Sequence, residues 1–435
     1  MDAFAVGIVG VIILLILLVT GVHIGIALGM VGLAGIAVLT SPVTAISTAV
    51  TTIFYFVTEY TFILLPFFIL MGLIAAQGGI AREIYDGLDK WVSNIRGGAG
   101  IATVGACAAF GLCTGSSVVA AATFTRVSAP PLRKMGYEKK FVYGIITSSA
   151  AIAMLIPPSG LAVIYGLLSG ESVGKLLIAG IGPGVLMTVI FGLGLLVTIR
   201  LKPHLVGSSK LVNVTWKERV LALPQMWPVA VIGGVVIGGI FLGVFTVVEA
   251  GAVAAFVILL IGLVSRRLSW GDAKAGFLEA VSTSVMIFFI FASARVFSRF
   301  LALSGISSSI AKTIIDFDLS PLIFVISISV VFLMLGCFLD SISMLCIMIP
   351  LVSPVVEGMA IDPIWFAMVV IMAIEVGLIT PPVGLNVFVT KGVAEADVSL
   401  EDIFSGVLPF FFLMLLTLVL VIAFPVFSTW LPSFL

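Results

Sequence analysis

Apolar runs long enough to cross a bilayer recur along the whole chain, and polar residues fall either in short loops between the runs or singly inside them. A spanning helix needs about 20 apolar residues. On that measure the first half carries crossings at about 4–20, 23–40, 98–129, 141–168 and 175–200. The second half carries them at about 228–243, 246–265, 321–355, 363–390 and 404–430. Two further apolar stretches, 46–80 and 273–305, are interrupted by polar residues near their middles. If both ends of such a stretch emerge on one side, it is a re-entrant hairpin, tolerated only when surrounded by protein. A hairpin is the expectation for both, with a full crossing in each as the alternative.

The halves repeat one another, and internal repeats decide architecture. Gly111-Leu112-Cys113-Thr114-Gly115-Ser116-Ser117 breaks one apolar run, and Gly336-Cys337-Phe338-Leu339-Asp340-Ser341 breaks another 225 positions later. Ile156-Pro157-Pro158-Ser159-Gly160 returns as Thr380-Pro381-Pro382-Val383-Gly384, at an offset of 224. Pro130 pairs with Pro354, Gly79-Ile80 with Gly305-Ile306, and Gly21 with Gly243, all in the same order. The pattern predicts an all-α polytopic membrane protein of two inverted repeats, each of about five transmembrane helices plus a re-entrant hairpin, with broken helices. The first repeat spans 1–200, with helices 4–40, hairpin 46–80 and broken helices 98–168. A polar linker, 201–225, leads into the second repeat, 226–435, with helices 228–265, hairpin 273–305 and broken helices 321–390.

Composition agrees. Of 435 residues 61% are hydrophobic and 10% charged, with a mean hydropathy of +1.34. A soluble domain is about one quarter charged, so lipid is the solvent for most of this surface. The 21 basic and 21 acidic residues balance, and no basic tail offers a nucleic-acid surface. Met1-Asp2-Ala3-Phe4 lacks the positive start of a signal peptide, so the first apolar run is expected to be retained. Cys107, Cys113, Cys337 and Cys346 sit in apolar segments with no metal or disulfide spacing, and read as small hydrophobes.

Lys and Arg favour cytoplasmic loops. With Arg200 at the membrane edge, loops 130–140, 201–219, 266–274, 306–320 and 391–403 hold fourteen, Lys210 and Lys312 among them. The opposite side is left with Arg82, Lys90, Arg96 and Lys175. The bias predicts a cytoplasmic linker, both termini outside, and an odd number of crossings per half. Segment 81–96 alternates charge and apolar residues as an interfacial helix or a solvated connector would.

The interruptions are where chemistry is expected. Proline frees a carbonyl and glycine permits a sharp turn, and freed carbonyls inside a membrane need partners. Hydroxyl and carbonyl oxygens are hard ligands that suit Na⁺. The first candidate ion site joins Gly111, Thr114, Gly115, Ser116 and Ser117 to a hairpin tip near Thr58–Pro66. The second joins Gly336, Asp340 and Ser341 to a tip near Ser282–Ala294, with Pro157-Pro158-Ser159 and Thr380-Pro381-Pro382 beside them. Close helix contact is the plainer use of the same small residues. Intramembrane charges are costly enough to be candidates by default. Arg295 and Arg299, one turn apart, could attract an organic anion or snorkel to the interface. Glu249 could cap a helix, and Glu375 could pair with an arginine or face a cavity. No P-loop and no H-E-x-x-H is present, and His23 and His204 are the only histidines, which gives little to an ATPase or metalloprotease.

At these motifs the chain resembles the large membrane subunit of tripartite ATP-independent periplasmic transporters. The resemblance is carried by Leu155-Ile156-Pro157-Pro158-Ser159-Gly160, Val163-Ile164-Tyr165-Gly166, Ser172-Val173-Gly174, Ala179-Gly180-Ile181-Gly182-Pro183-Gly184 and Ile361-Asp362-Pro363. Gly377-Leu378-Ile379-Thr380-Pro381-Pro382-Val383-Gly384 is similar to the family's most recognisable segment. Phe245-Thr246-Val247 departs from it, since the family typically has a proline after the threonine. The resemblance implies a non-enzymatic, Na⁺-coupled importer of an organic acid in the bacterial inner membrane. It implies two partners, a small four-helix membrane subunit and a soluble periplasmic substrate-binding protein, and an elevator-like movement. Gly111–Ser117, Gly336–Ser341 and Thr380 would hold ions, with substrate near Ser159, Pro158 and Pro382. A stand-alone carrier, a channel and an intramembrane enzyme are the alternatives, the last having no nucleophile–base set to stand on.

Overall fold

A computed structural model describes residues 2–207, 214–317 and 319–435, and these are helical without strands. Lys210 lies outside the described residues. Among the described residues seven helices are long and apolar enough to cross a membrane, or eight if the bent pair Lys139–Leu155 and Gly160–Ser169 is one span. The first half contains α1 (Ala3–Val19), α2 (Ile24–Leu39), α3 (Pro42–Thr58), α4 (Leu64–Gln77), α5 (Ile80–Val92), α6 (Gly98–Thr114) and α7 (Ser117–Val127). It closes with α8 (Lys139–Ala150), α9 (Gly160–Ser169) and α10 (Ile181–Leu201). The second contains α11 (Trp216–Phe241), α12 (Val247–Val264), α13 (Trp270–Ser304), α14 (Ile306–Asp316) and α15 (Pro321–Gly336). It ends with α16 (Ser341–Gly358), α17 (Pro363–Gly377), α18 (Leu385–Val393) and α19 (Leu400–Ala423). Helix starts follow the sequence: Pro42, Pro321 and Pro363 occupy first turns, where a missing N–H costs nothing. Glu249 is a capping residue, completing a capping box with Thr246 at the start of α12.

Neither of the two stretches expected as hairpins turns back on itself. Residues 273–305 belong to α13, one helix of 35 residues and about 52 Å at 1.5 Å per residue. Its polar middle does not break it, because Ser284 Oγ donates to the Ala280 carbonyl at 2.6 Å. Residues 46–80 run as α3, one tight turn (Tyr60–Ile63) and α4. Phe56 and Phe62 both flank Phe291, at 6.2 and 5.8 Å, whereas a Cβ on Gly276 would sit 3.1 Å from Gln77 Oε1. The stretch therefore descends antiparallel to α13. Glu59, at φ −70°, bends the backbone without reversing it.

The stretches that turn back on themselves are instead 98–134 and 321–358, which contain the runs 98–129 and 321–355 expected as crossings. Alongside α6 the neighbours of Gly100 and Gly111 are Ile145 and Ala153, so α6 and the 139–155 helix run parallel. The chain reaches Lys139 only after α7 has returned. Both ends of the unit then meet one segment: Arg96 donates to the Pro203 carbonyl at 3.4 Å, and Glu138 N–H to that of Leu205 at 2.8 Å. In the second half Phe324 stacks on Phe366 at 6.2 Å, and Gly336 meets Gly377, so α15 parallels α17 in the same manner.

The two units enter from opposite faces. α19 provides the ruler: near its start Asp402 pairs with Lys139 at 2.8 Å, and near its end the Val421 carbonyl accepts from Trp365 Nε1 at 2.8 Å. Lys139 opens the first broken helix and Trp365 the second. This path puts Arg82, Lys90 and Arg96 on the basic face, where Glu83 of α5 pairs with Arg267 at 2.6 Å. It puts Lys312, on α14 beyond the far end of α13, on the other. α5 buries Ile80, Ala81, Ile84, Tyr85 and Gly87, and so is a helix lying on the bundle. All four cysteines are free and buried.

Candidate functional site

Each hairpin tip meets the break of its neighbouring helix through bare backbone. At the first, Gly115 turns the chain with φ +54°, and its carbonyl accepts from Gly160 N–H at 3.0 Å. A Cβ there would lie 1.7 Å from the Pro158 carbonyl oxygen. Gly111 is pressed on Ala153, with a hypothetical Cβ 2.9 Å from its Cα. Ser116 caps α7 through Val119 N–H, and Ser159 caps α9 through Ala162 N–H. Two helix N-termini thus point into one junction beside carbonyls released at Pro157 and Pro158, all but Ser116 and Gly160 being buried.

At the second tip Gly336 meets Gly377, with a Cβ on either 2.8 Å or less from the other's Cα. Val383 N–H donates to the Cys337 carbonyl at 3.2 Å. Asp340 caps α16: Oδ2 accepts from Ile342 and Ser343 N–H, both at 3.1 Å, and Ser343 Oγ donates to Oδ1. Ser341 is buried in the first turn, and Thr380 Oγ1 donates to the Val376 carbonyl at 2.7 Å. Pro381, Pro382 and Val383 are exposed where Pro157, Pro158 and Ser159 are buried. The Pro157–Pro158 and Pro381–Pro382 bonds are cis.

Each tip lies beside the helix break expected next to it. Gly111–Ser117 faces the 156–160 break, with Gly72 of α4 against Thr114. Gly336–Ser341 faces 377–384, because no tip exists within Ser282–Ala294. Of the charged candidates, Arg295 donates from Nη2 to the Leu167 carbonyl near the end of α9. It lines a cavity of about 250 Å³ with Thr52, Tyr55, Phe56, Glu59 and Phe62. Arg299 is exposed and does not join it.

One connection was not anticipated. Ser117 Oγ donates to Glu375 Oε1 at 3.0 Å, both residues fully buried, so hairpin one is bonded to the broken helix of the other half. Two residues on, Gly377 meets hairpin two. A lone acid in the run Pro363–Gly377 was the available signal, but it named no partner. Asn386, equally buried and next to that carboxyl, gave none.

The sequence matches, over residues 11–427, the family described as tripartite ATP-independent periplasmic transporter, DctM component. It is 34% identical to the C4-dicarboxylate TRAP transporter large permease protein DctM of Pseudomonas aeruginosa, over 87% of each chain. It is 29% identical to the sialic acid TRAP transporter large permease protein SiaM of Vibrio cholerae, over 96% of each. Its fold is similar to the YdaH transporter of Alcanivorax borkumensis, at TM-score 0.58 and 15% identity over 90% of both chains.

Proposed function

The chain belongs to the tripartite ATP-independent periplasmic transporters as their DctM component, the large permease subunit, and on that premise we propose that it imports an organic acid coupled to Na⁺. It is a multi-pass membrane protein and a transporter subunit, not an enzyme. The observation that carries the finer reading is the pairing of two hairpin tips with two helix breaks, entered from opposite faces. Each pairing collects freed carbonyls and hydroxyls suited to Na⁺, and helix N-termini suited to an anion.

One ion is held by Gly111, Thr114, Gly115, Ser116 and Ser117 with the 156–160 break. A second is held by Gly336, Ser341 and Thr380, with the Asp340 carboxylate supplying charge while it caps α16. Substrate lies between Pro158-Ser159 and Pro382, and Arg295 offers its remaining donors from the neighbouring cavity. The hairpins and broken helices move as an elevator against the other helices. In the bacterial inner membrane the chain works with a small four-helix subunit and a soluble periplasmic binding protein. Relatives named for C4-dicarboxylates and for sialic acid support an organic acid as cargo.

Uptake of a radiolabelled organic acid into proteoliposomes tests this, with and without an inward Na⁺ gradient and with and without the binding protein. Uptake should require both. Transport by the permease alone would favour a stand-alone carrier, and indifference to the gradient would remove Na⁺ coupling.

A further inference from the structure

We propose that Glu375 and Asn386 form a further cation site beside the first tip–break junction, sharing Ser117 with it, in which a monovalent cation joins the two halves. The proposal rests on the Na⁺-coupled reading above and adds a site to it.

Glu375 has no exposed surface, and neither do Ser117 and Asn386. Its Oε1 is satisfied by Ser117, but Oε2 has no protein partner, nor has either polar atom of the Asn386 amide. Asn386 lies beside the carboxyl because its own N–H binds the Leu378 carbonyl at 3.1 Å, folding α18 back against the end of α17. One turn further along α18, Thr390 and Thr147 bond at 2.9 Å and close that side. An ionised carboxylate with one neutral hydrogen bond is expensive to bury, and among the described residues no Arg or Lys bonds to it. Two unpartnered oxygens, of the carboxylate and of the amide, together with the free lone pairs of the Ser117 hydroxyl, supply what is missing: hard donors carrying one negative charge in total. That set matches a single alkali cation. Among the described residues no group of three or more His, Cys, Asp or Glu could hold a transition metal instead.

The test is thermal stability of the purified full chain in lipid nanodiscs, titrated with NaCl against choline chloride at constant ionic strength. Stabilisation of the unchanged chain should rise with several Na⁺ ions, and Glu375→Gln, which keeps the shape, should lower that steepness by about one ion. Asn386→Asp adds a second carboxylate and should bind Na⁺ more tightly, so that salt rescues what the added charge costs. A Glu375→Gln titration identical to that of the unchanged chain overturns this site alone, as a buried water or a protonated carboxyl would require. Destabilisation of Asn386→Asp beyond rescue by Na⁺ overturns it equally. If the unchanged chain shows no Na⁺-specific stabilisation, the coupling reading falls together with the site.

Discussion

Gly160 N–H and the Gly115 carbonyl, 3.0 Å apart, bind a hairpin tip to the start of a half-helix, and the contact leaves no room for a side chain on Gly115. Gly115→Ala meets two penalties: the left-handed backbone, about 1–2 kcal/mol for a non-glycine residue, and the Pro158 carbonyl in its path. The expected outcome is a lowered melting midpoint and loss of uptake. A variant with wild-type uptake would mean the junction is not needed in this form.

The crossing of the 139–155 helix with α19 is equally bare, since a Cβ on Gly406 would lie 1.9 Å from the Lys140 carbonyl oxygen. Membrane helices approach this closely only through small residues. Gly406→Ala should cost roughly 1–3 kcal/mol as an overpacked contact. Gly192→Ala is the control: nothing lies within 4 Å of its Cβ, and alanine is the better helix former. Thermal midpoints in detergent should separate the two variants.

Asp340 caps α16 and is proposed to supply charge to an ion site, two roles that substitutions can divide. Asparagine also caps helices well, whereas alanine forfeits about 1 kcal/mol. Asp340→Asn should therefore keep the melting midpoint but raise the Na⁺ concentration for half-maximal uptake, and Asp340→Ala should impair both. An unchanged Na⁺ curve in Asp340→Asn would leave Asp340 as a cap only.

Burial, followed by the nearby Asp362 and Glu357 carboxylates, raises Glu171 above the usual glutamate value of about 4.3. A raised carboxyl binds its proton more tightly in the folded state. Its stabilising contribution is full below the unfolded value and is lost as pH rises through the folded one. At neutral pH the ionised group is a liability, so Glu171→Gln should raise the melting midpoint there. It should also flatten the pH dependence just above the ordinary glutamate range. A midpoint that falls at neutral pH would contradict this reading.

What the sequence revealed and what it hid follow from local against non-local causes. The breaks at Gly115, Pro157-Pro158 and Pro381-Pro382 are properties of single residues, so spacing alone located them. Which apolar stretch turns back is hidden, because Ser282, Thr283 and Ser284 look like an interruption. Ser284 in fact satisfies its hydroxyl inside its own helix. The hairpin at Gly98–Lys134 looks like a crossing, since its ends are held together by partners such as Pro203 and Leu205 some distance along the chain. Counting charge per loop carries the same error to Arg96 and Lys312. Partners such as Ser117 and Glu375, 258 positions apart, carry no mark in a single chain.

The end of α17 holds Glu375, bonded to the first hairpin, and Gly377, pressed on the second, two positions apart. Residues so placed on one helix keep a nearly fixed spacing of about 3 Å along its axis. The two tips are thereby yoked to a single rigid rod. If each tip holds an ion, as proposed, tightening one tip alters the seat of the other with no long relay between them, and cooperative occupancy would be a property of one short helix end.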